Sequence, residues 1–143
     1  MNYFIIISLV EILSIATGDF LRSFIPLIAF PLLRYFTGGL HFKNPMTCNV
    51  VTALFMLTSL YVPIDFLHVG LAFNAIALFI VLLRAPTNIS RFKESQYPAL
   101  KIIAAVVILS NFWLQSPLLA TIYLLQAVTL LRTVQKAVVL CKL

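Results

Sequence analysis

The chain has 143 residues, 62% of them hydrophobic and only 10% charged, with a net charge of +6 and a mean hydropathy of +1.08. A water-soluble domain carries about a quarter charged residues, so there is too little polar surface here to cover a folded core in water. The expected solvent is lipid. The positive charge does not point to nucleic acid: no nucleic-acid motif is present, and the basic residues fall in short polar stretches between apolar segments.

In chain order, apolar segments run over 3–18, 20–33, 48–64, 66–83, 100–114 and 117–131. Each is somewhat shorter than the ~20 residues that cross a bilayer core upright. The first lacks a basic leading region and a small-residue cleavage site, so it is expected to be a retained membrane segment and not a signal peptide. The second is short and carries Pro26 and Pro31, which is compatible with a kinked span or with a re-entrant helix. Between segments lie turn residues at Gly18-Asp19, Pro63-Ile64-Asp65 and Gln115-Ser116-Pro117. The apolar runs do not alternate as barrel strands do, and backbone groups in lipid must be satisfied internally. The expectation is all-α: a polytopic membrane helical bundle of about six segments in one domain over 1–143.

Charge sets the expected orientation. With six crossings and the N-terminus inside, the stretches 34–47 and 84–101 and the tail from Arg132 share one side and hold nine of the ten basic residues. That excess marks the cytoplasmic face. The longest loop, 84–101, contributes Arg84, Arg91, Lys93 and Lys101. Two cysteines, Cys48 and Cys141, do not make a disulfide framework.

The stretch 34–48 carries the chemistry. It interrupts the apolar sequence with Arg34, Gly38, Gly39, His41, Lys43, Asn44, Pro45 and Cys48, and polar groups at the edge of a bilayer are costly and usually functional. An imidazole can take the proton of a thiol and stabilise the thiolate, the attacking form of cysteine. His41 and Cys48 are seven residues apart, about 10.5 Å along a continuous helix, so the chain must bend between them. Pro45 supplies the break, because it disfavours helix at Asn44 and opens a new helix with Cys48 near its start. Gly38-Gly39 allows a tight turn, and amide N–H groups around Cys48 are candidate oxyanion donors. Arg34 suits either a substrate carbonyl or carboxylate, or a headgroup. Two ligands do not satisfy zinc, so no metal and no cofactor are expected. Residues alone leave open a non-catalytic membrane protein, such as a peptide-export component or a scaffold. Glu11, His68, Trp113, Tyr61 and Tyr123 read as packing or interfacial residues.

The run Arg34-Tyr35-Phe36-Thr37-Gly38-Gly39-Leu40-His41, followed by Cys48, resembles the accessory gene regulator B (AgrB) family of membrane cysteine endopeptidases. The family pattern is an Arg, Gly-Gly-x-His, and a Cys seven residues after the His. Arg84-Ala85-Pro86 is similar to the family's Ala-Pro loop, although Thr87-Asn88 stands where many members have an Asp, so no third catalytic residue is assigned. The resemblance implies cleavage of a short AgrD-like propeptide with an acidic C-terminal tail, and its cyclisation to a thiolactone for quorum sensing. In that reading Cys48 is the nucleophile and His41 the base. Arg34, Gly38, Gly39 and Lys43 support or bind substrate, and charge complementarity alone makes the basic loop of Arg84, Arg91, Lys93 and Lys101 the expected cradle for the acidic tail. It also implies homodimers in the bacterial cytoplasmic membrane.

Overall fold

The computed structural model describes residues 3–40 and 42–140. His41 and Cys141, both singled out above, lie outside the described residues. Seven α-helices follow in order: α1 (Tyr3–Thr17), α2 (Phe20–Thr37), α3 (Pro45–Tyr61), α4 (Leu71–Arg84), α5 (Tyr97–Leu114), α6 (Pro117–Val128) and α7 (Arg132–Leu140). A π turn, Phe66–Gly70, leads into α4, and a 3-10 turn, Glu94–Gln96, leads into α5. No strand occurs among the described residues.

Helix starts follow local chemistry. Asn44 caps α3 by accepting a hydrogen bond from the Met46 amide at 2.9 Å, and Pro45 occupies the first turn, where its missing N–H costs nothing. Ser116 and Pro117 repeat that device at α6, and Pro98 sits in the first turn of α5. The second segment is one continuous helix that contains both Pro26 and Pro31 and is long and apolar enough to cross a membrane. Phe66–Arg84 and Glu94–Leu114 also qualify, whereas α1 and α3 are shorter apolar helices.

Two boundaries differ from the sequence expectation. The last apolar segment ends at Val128 rather than 131, and the polar tail after it is helical: α7 is bent by 63° from α6. The loop expected over 84–101 is shorter, because Arg84 is the last residue of α4 and Lys101 lies inside α5.

The bundle is polar inside and apolar outside. α6 is the central helix, packed on α2, α3, α4 and α5. The buried set includes Ser14, Ser23, Asn49, Thr52, Ser59, Asn74, Asn111 and Gln126, while Phe4, Leu21, Ile28, Phe79, Leu83 and Trp113 face outward. A soluble protein rarely exposes so much contiguous apolar surface; helices in lipid gain nothing by hiding it and pack through small and polar groups instead. Asn111 is an example. Its Nδ2 donates to Asn74 Oδ1 at 3.2 Å and to the Ser116 carbonyl at 3.1 Å, and its Oδ1 accepts from the Ser116 amide at 3.1 Å. Interhelical bonds of this kind contribute on the order of 0.6 kcal/mol each. Glu11 finds a partner in the bundle too, accepting a 2.9 Å bond from Ser23 Oγ.

Candidate active site

At one end of the bundle the C-terminus of α2, the N-terminus of α3, the segment after α4 and the end of α6 converge. The chain leaves α2 at Gly38, whose φ of 73° lies in the left-handed region that favours glycine. It then pairs with the segment after α4. The Gly39 amide donates to the Thr87 carbonyl at 3.0 Å and the Thr87 amide to the Thr37 carbonyl at 2.9 Å, an isolated parallel bridge between Gly38 and Thr87. A Cβ on Gly38 would stand 2.0 Å from the Thr87 carbonyl oxygen. Glycine is needed here for space as well as for conformation.

The opposite side of the same turn rests on α6. Gln126 is fully buried, and its Nε2 donates to Thr37 Oγ1 at 3.0 Å and to the Gly38 carbonyl at 2.7 Å. Its Oε1 is buried without a partner. A Cβ on Gly39 would meet Thr129 Oγ1 at 2.7 Å and Gln126 Nε2 at 3.3 Å. The two bonds contribute about 1–3 kcal/mol together, and the unpaired oxygen costs a similar ~1–3 kcal/mol. Net stability therefore does not explain a glutamine at this position.

Cys48 is buried, one turn into α3, and opens into a cleft of about 200 Å³ lined also by Tyr3, Arg34, Tyr35, Phe42 and Arg91. A neighbouring cleft of about 190 Å³ shares the wall formed by Arg34, Tyr35 and Arg91 and continues to Gly38 and Asn88. Arg34 donates to the Leu40 carbonyl and lies 5.9 Å from the Phe30 ring centroid. It thus braces the glycine turn besides facing the cleft. Arg91 is stacked over the Tyr35 ring at 5.5 Å, and Tyr35 meets Phe92 edge to face at 5.6 Å. These aromatic contacts tie the basic loop to α2.

The structure thus brings Cys48, Arg34 and Arg91 to one cleft; Gly38 lines the neighbouring cleft, and Gly39 lines neither. Arg84, Lys93 and Lys43 do not line it, and all three are exposed. One sequence expectation changes in detail. The Met46 amide is taken by Asn44 Oδ1 and the Cys48 amide by the Asn44 carbonyl at 3.2 Å. These two N–H groups are therefore committed to starting the helix, and among the described residues the guanidinium groups of Arg34 and Arg91 are donors that line the same cleft as the thiol. Among the described residues, no cluster of three or more His, Cys, Asp or Glu gathers as a metal site. Sequence reasoning gave Gln126 no role: the segment from Gln126 to Leu131 resembles the family, but the residue itself shows only as a lone amide in an apolar segment.

Fold and site together define a class: an all-helical bundle suited to lipid, with one buried thiol opening beside two arginines. The accessory gene regulator B family profile matches residues 1–136, and the chain belongs to that family. Membership places it among the membrane-associated proteins of quorum-sensing peptide processing, with an AgrD-like propeptide as partner. No curated protein and no solved structure matches the chain.

Gly38→Ala is expected to destabilise the fold by roughly 2–4 kcal/mol, through backbone strain and loss of the bridge. Gly39, at a φ of 129°, is strained for a side chain too, but a Cβ there would meet side chains and not backbone, so Gly39→Ala should cost less. Thermal unfolding in detergent would compare the two, and equal stabilities would contradict the packing described.

Proposed function

We propose that the protein is a membrane cysteine endopeptidase that removes the C-terminal tail of a short signal propeptide and closes the remainder into a thiolactone. The observation that carries this reading is the buried thiol of Cys48 opening into a cleft flanked by Arg34 and Arg91, in a chain of this family.

In the proposed reaction, Cys48 Sγ attacks the carbonyl carbon of the scissile peptide bond while its proton passes to His41. The tetrahedral oxyanion is stabilised by a guanidinium donor in the cleft. The C–N bond then breaks, His41 returns the proton to the leaving amine, and the signal segment remains as a thioester on Cys48. A thiol within the peptide attacks that thioester, the bond to Cys48 breaks, and the enzyme thiol is restored. An internal nucleophile held near the acyl carbon has a very high effective concentration, so it outcompetes water.

Arg34 and Arg91 both lie on the wall shared by the two clefts, and because Arg34 is bonded to the Leu40 carbonyl, Arg91 is the better placed of the two for the acidic tail. Arg84, Lys93 and Lys101, outside the clefts, add only long-range attraction. The distribution of basic residues supports an orientation with this end of the bundle at the cytoplasmic face.

Three outcomes are expected. Purified protein in nanodiscs cleaves its propeptide, and Cys48→Ala or His41→Ala lowers that activity by about 10³-fold or more, while Cys141→Ala leaves it unchanged; full processing by either of the first two variants would end the proposal. Arg91→Gln raises KM about 3–10-fold for a peptide with an acidic tail and has no effect when the tail carboxylates are amidated. In an otherwise cysteine-free chain, a cysteine replacing Lys43 reacts with an impermeant thiol reagent only in inside-out vesicles, and labelling from outside would reverse the orientation.

A further inference from the structure

Gln126 holds the backbone of the Gly38–Gly39 turn, and the chain reaches His41 two residues later. The contact spans 88 residues of sequence between a central helix and a loop. Three observations bear on its purpose. The amide donates to the Gly38 carbonyl at 2.7 Å, and a second bond of 3.0 Å, to Thr37 Oγ1, fixes the last residue of α2. Its oxygen is left buried without a partner, so the group is placed for what its nitrogen donates. On the far side, the same turn is held by the Thr87 bridge, so the two anchors grip it from opposite faces.

We propose that Gln126 is a positioning residue, which holds in register the Gly38–Gly39 turn beside the clefts, on the stretch of chain that leads to the proposed base. The inference rests on the peptidase reading above and adds a residue to it. Gln126 touches no reacting atom. It acts through the turn, by fixing a backbone carbonyl and thereby the path of the next residues. The distance over which it must work is short, and a misplacement of about 1 Å at a reacting centre can cost on the order of 10²-fold in rate. Substrate binding is not expected to depend on it, because the peptide meets the cleft wall of Arg34, Tyr35 and Arg91.

The test compares Gln126→Met and Gln126→Glu with the parent chain in nanodiscs. Met preserves side-chain length without any donor, and Glu preserves shape without the amide N–H. Two quantities are read: kcat and KM for the propeptide, and hydrogen exchange of segments 37–40 and 85–89. Both variants are expected to lower kcat about 10–100-fold with KM within about twofold. Exchange should rise at the Gly39 and Thr87 amides and stay at parent level in α4 and α5. A Gln126→Met protein with parent kcat would overturn the proposal and leave the Cys48 reading intact. So would a general rise in exchange with kcat and KM changing together, since that describes lost packing. A parent chain no more active than Cys48→Ala would instead sink the peptidase reading, and this inference with it.

Discussion

Everything at the site depends on a backbone turn that has no room for a side chain. Gly38 lies against a carbonyl from the segment after α4, and Gly39 lies against Thr129 and Gln126. A turn pressed between two surfaces is held by shape and by a few backbone hydrogen bonds, neither of which needs a large apolar core. That suits a small bundle in lipid, where burying hydrocarbon between helices yields little beyond what the lipid tails already provide. The cleft, the stacked Arg91 and the start of α3 are all arranged around this one corner.

The interior polarity serves the same end. Asn74, Asn111 and Ser116 bond to one another across α4, α5 and the start of α6, and Ser23 meets Glu11 between α1 and α2. In water such pairs would compete with solvent and contribute little. In lipid a mispaired amide has nowhere else to go, so these bonds act as registers that fix which helix faces which. Gln126 belongs to that population by burial but differs in its use, because it bonds a loop carbonyl and leaves its own oxygen unmet.

Much of this was legible in the sequence. The apolar segments announced their helices because lipid-facing positions must be apolar, and Asn44-Pro45 announced the restart of helix before Cys48. The prolines of α2 left a kinked span and a re-entrant helix both open; the helix runs through Pro26 and Pro31 and is long enough to span. α7 was hidden because Arg132, Gln135 and Lys136 read as a polar tail, whereas an amphipathic helix at the end of a bundle has that composition. Tyr97-Pro98 started α5 inside what looked like loop, which moved Lys101 away from the site. The Gly38–Thr87 bridge and the reach of Gln126 left no local trace. Both join segments far apart in the chain, and backbone partners carry no side-chain signature.

The bridge between Gly38 and Thr87 is made by main-chain atoms alone. The pairing of these main-chain atoms therefore does not itself depend on which side chains the loop carries, although Ile89 lies close to Gly38 and Arg91 is stacked on Tyr35. Under the proposed reaction, a lineage built this way can alter which message it matures by drifting at the remaining positions of one loop. Selectivity and turnover become separately evolvable traits of a single short chain.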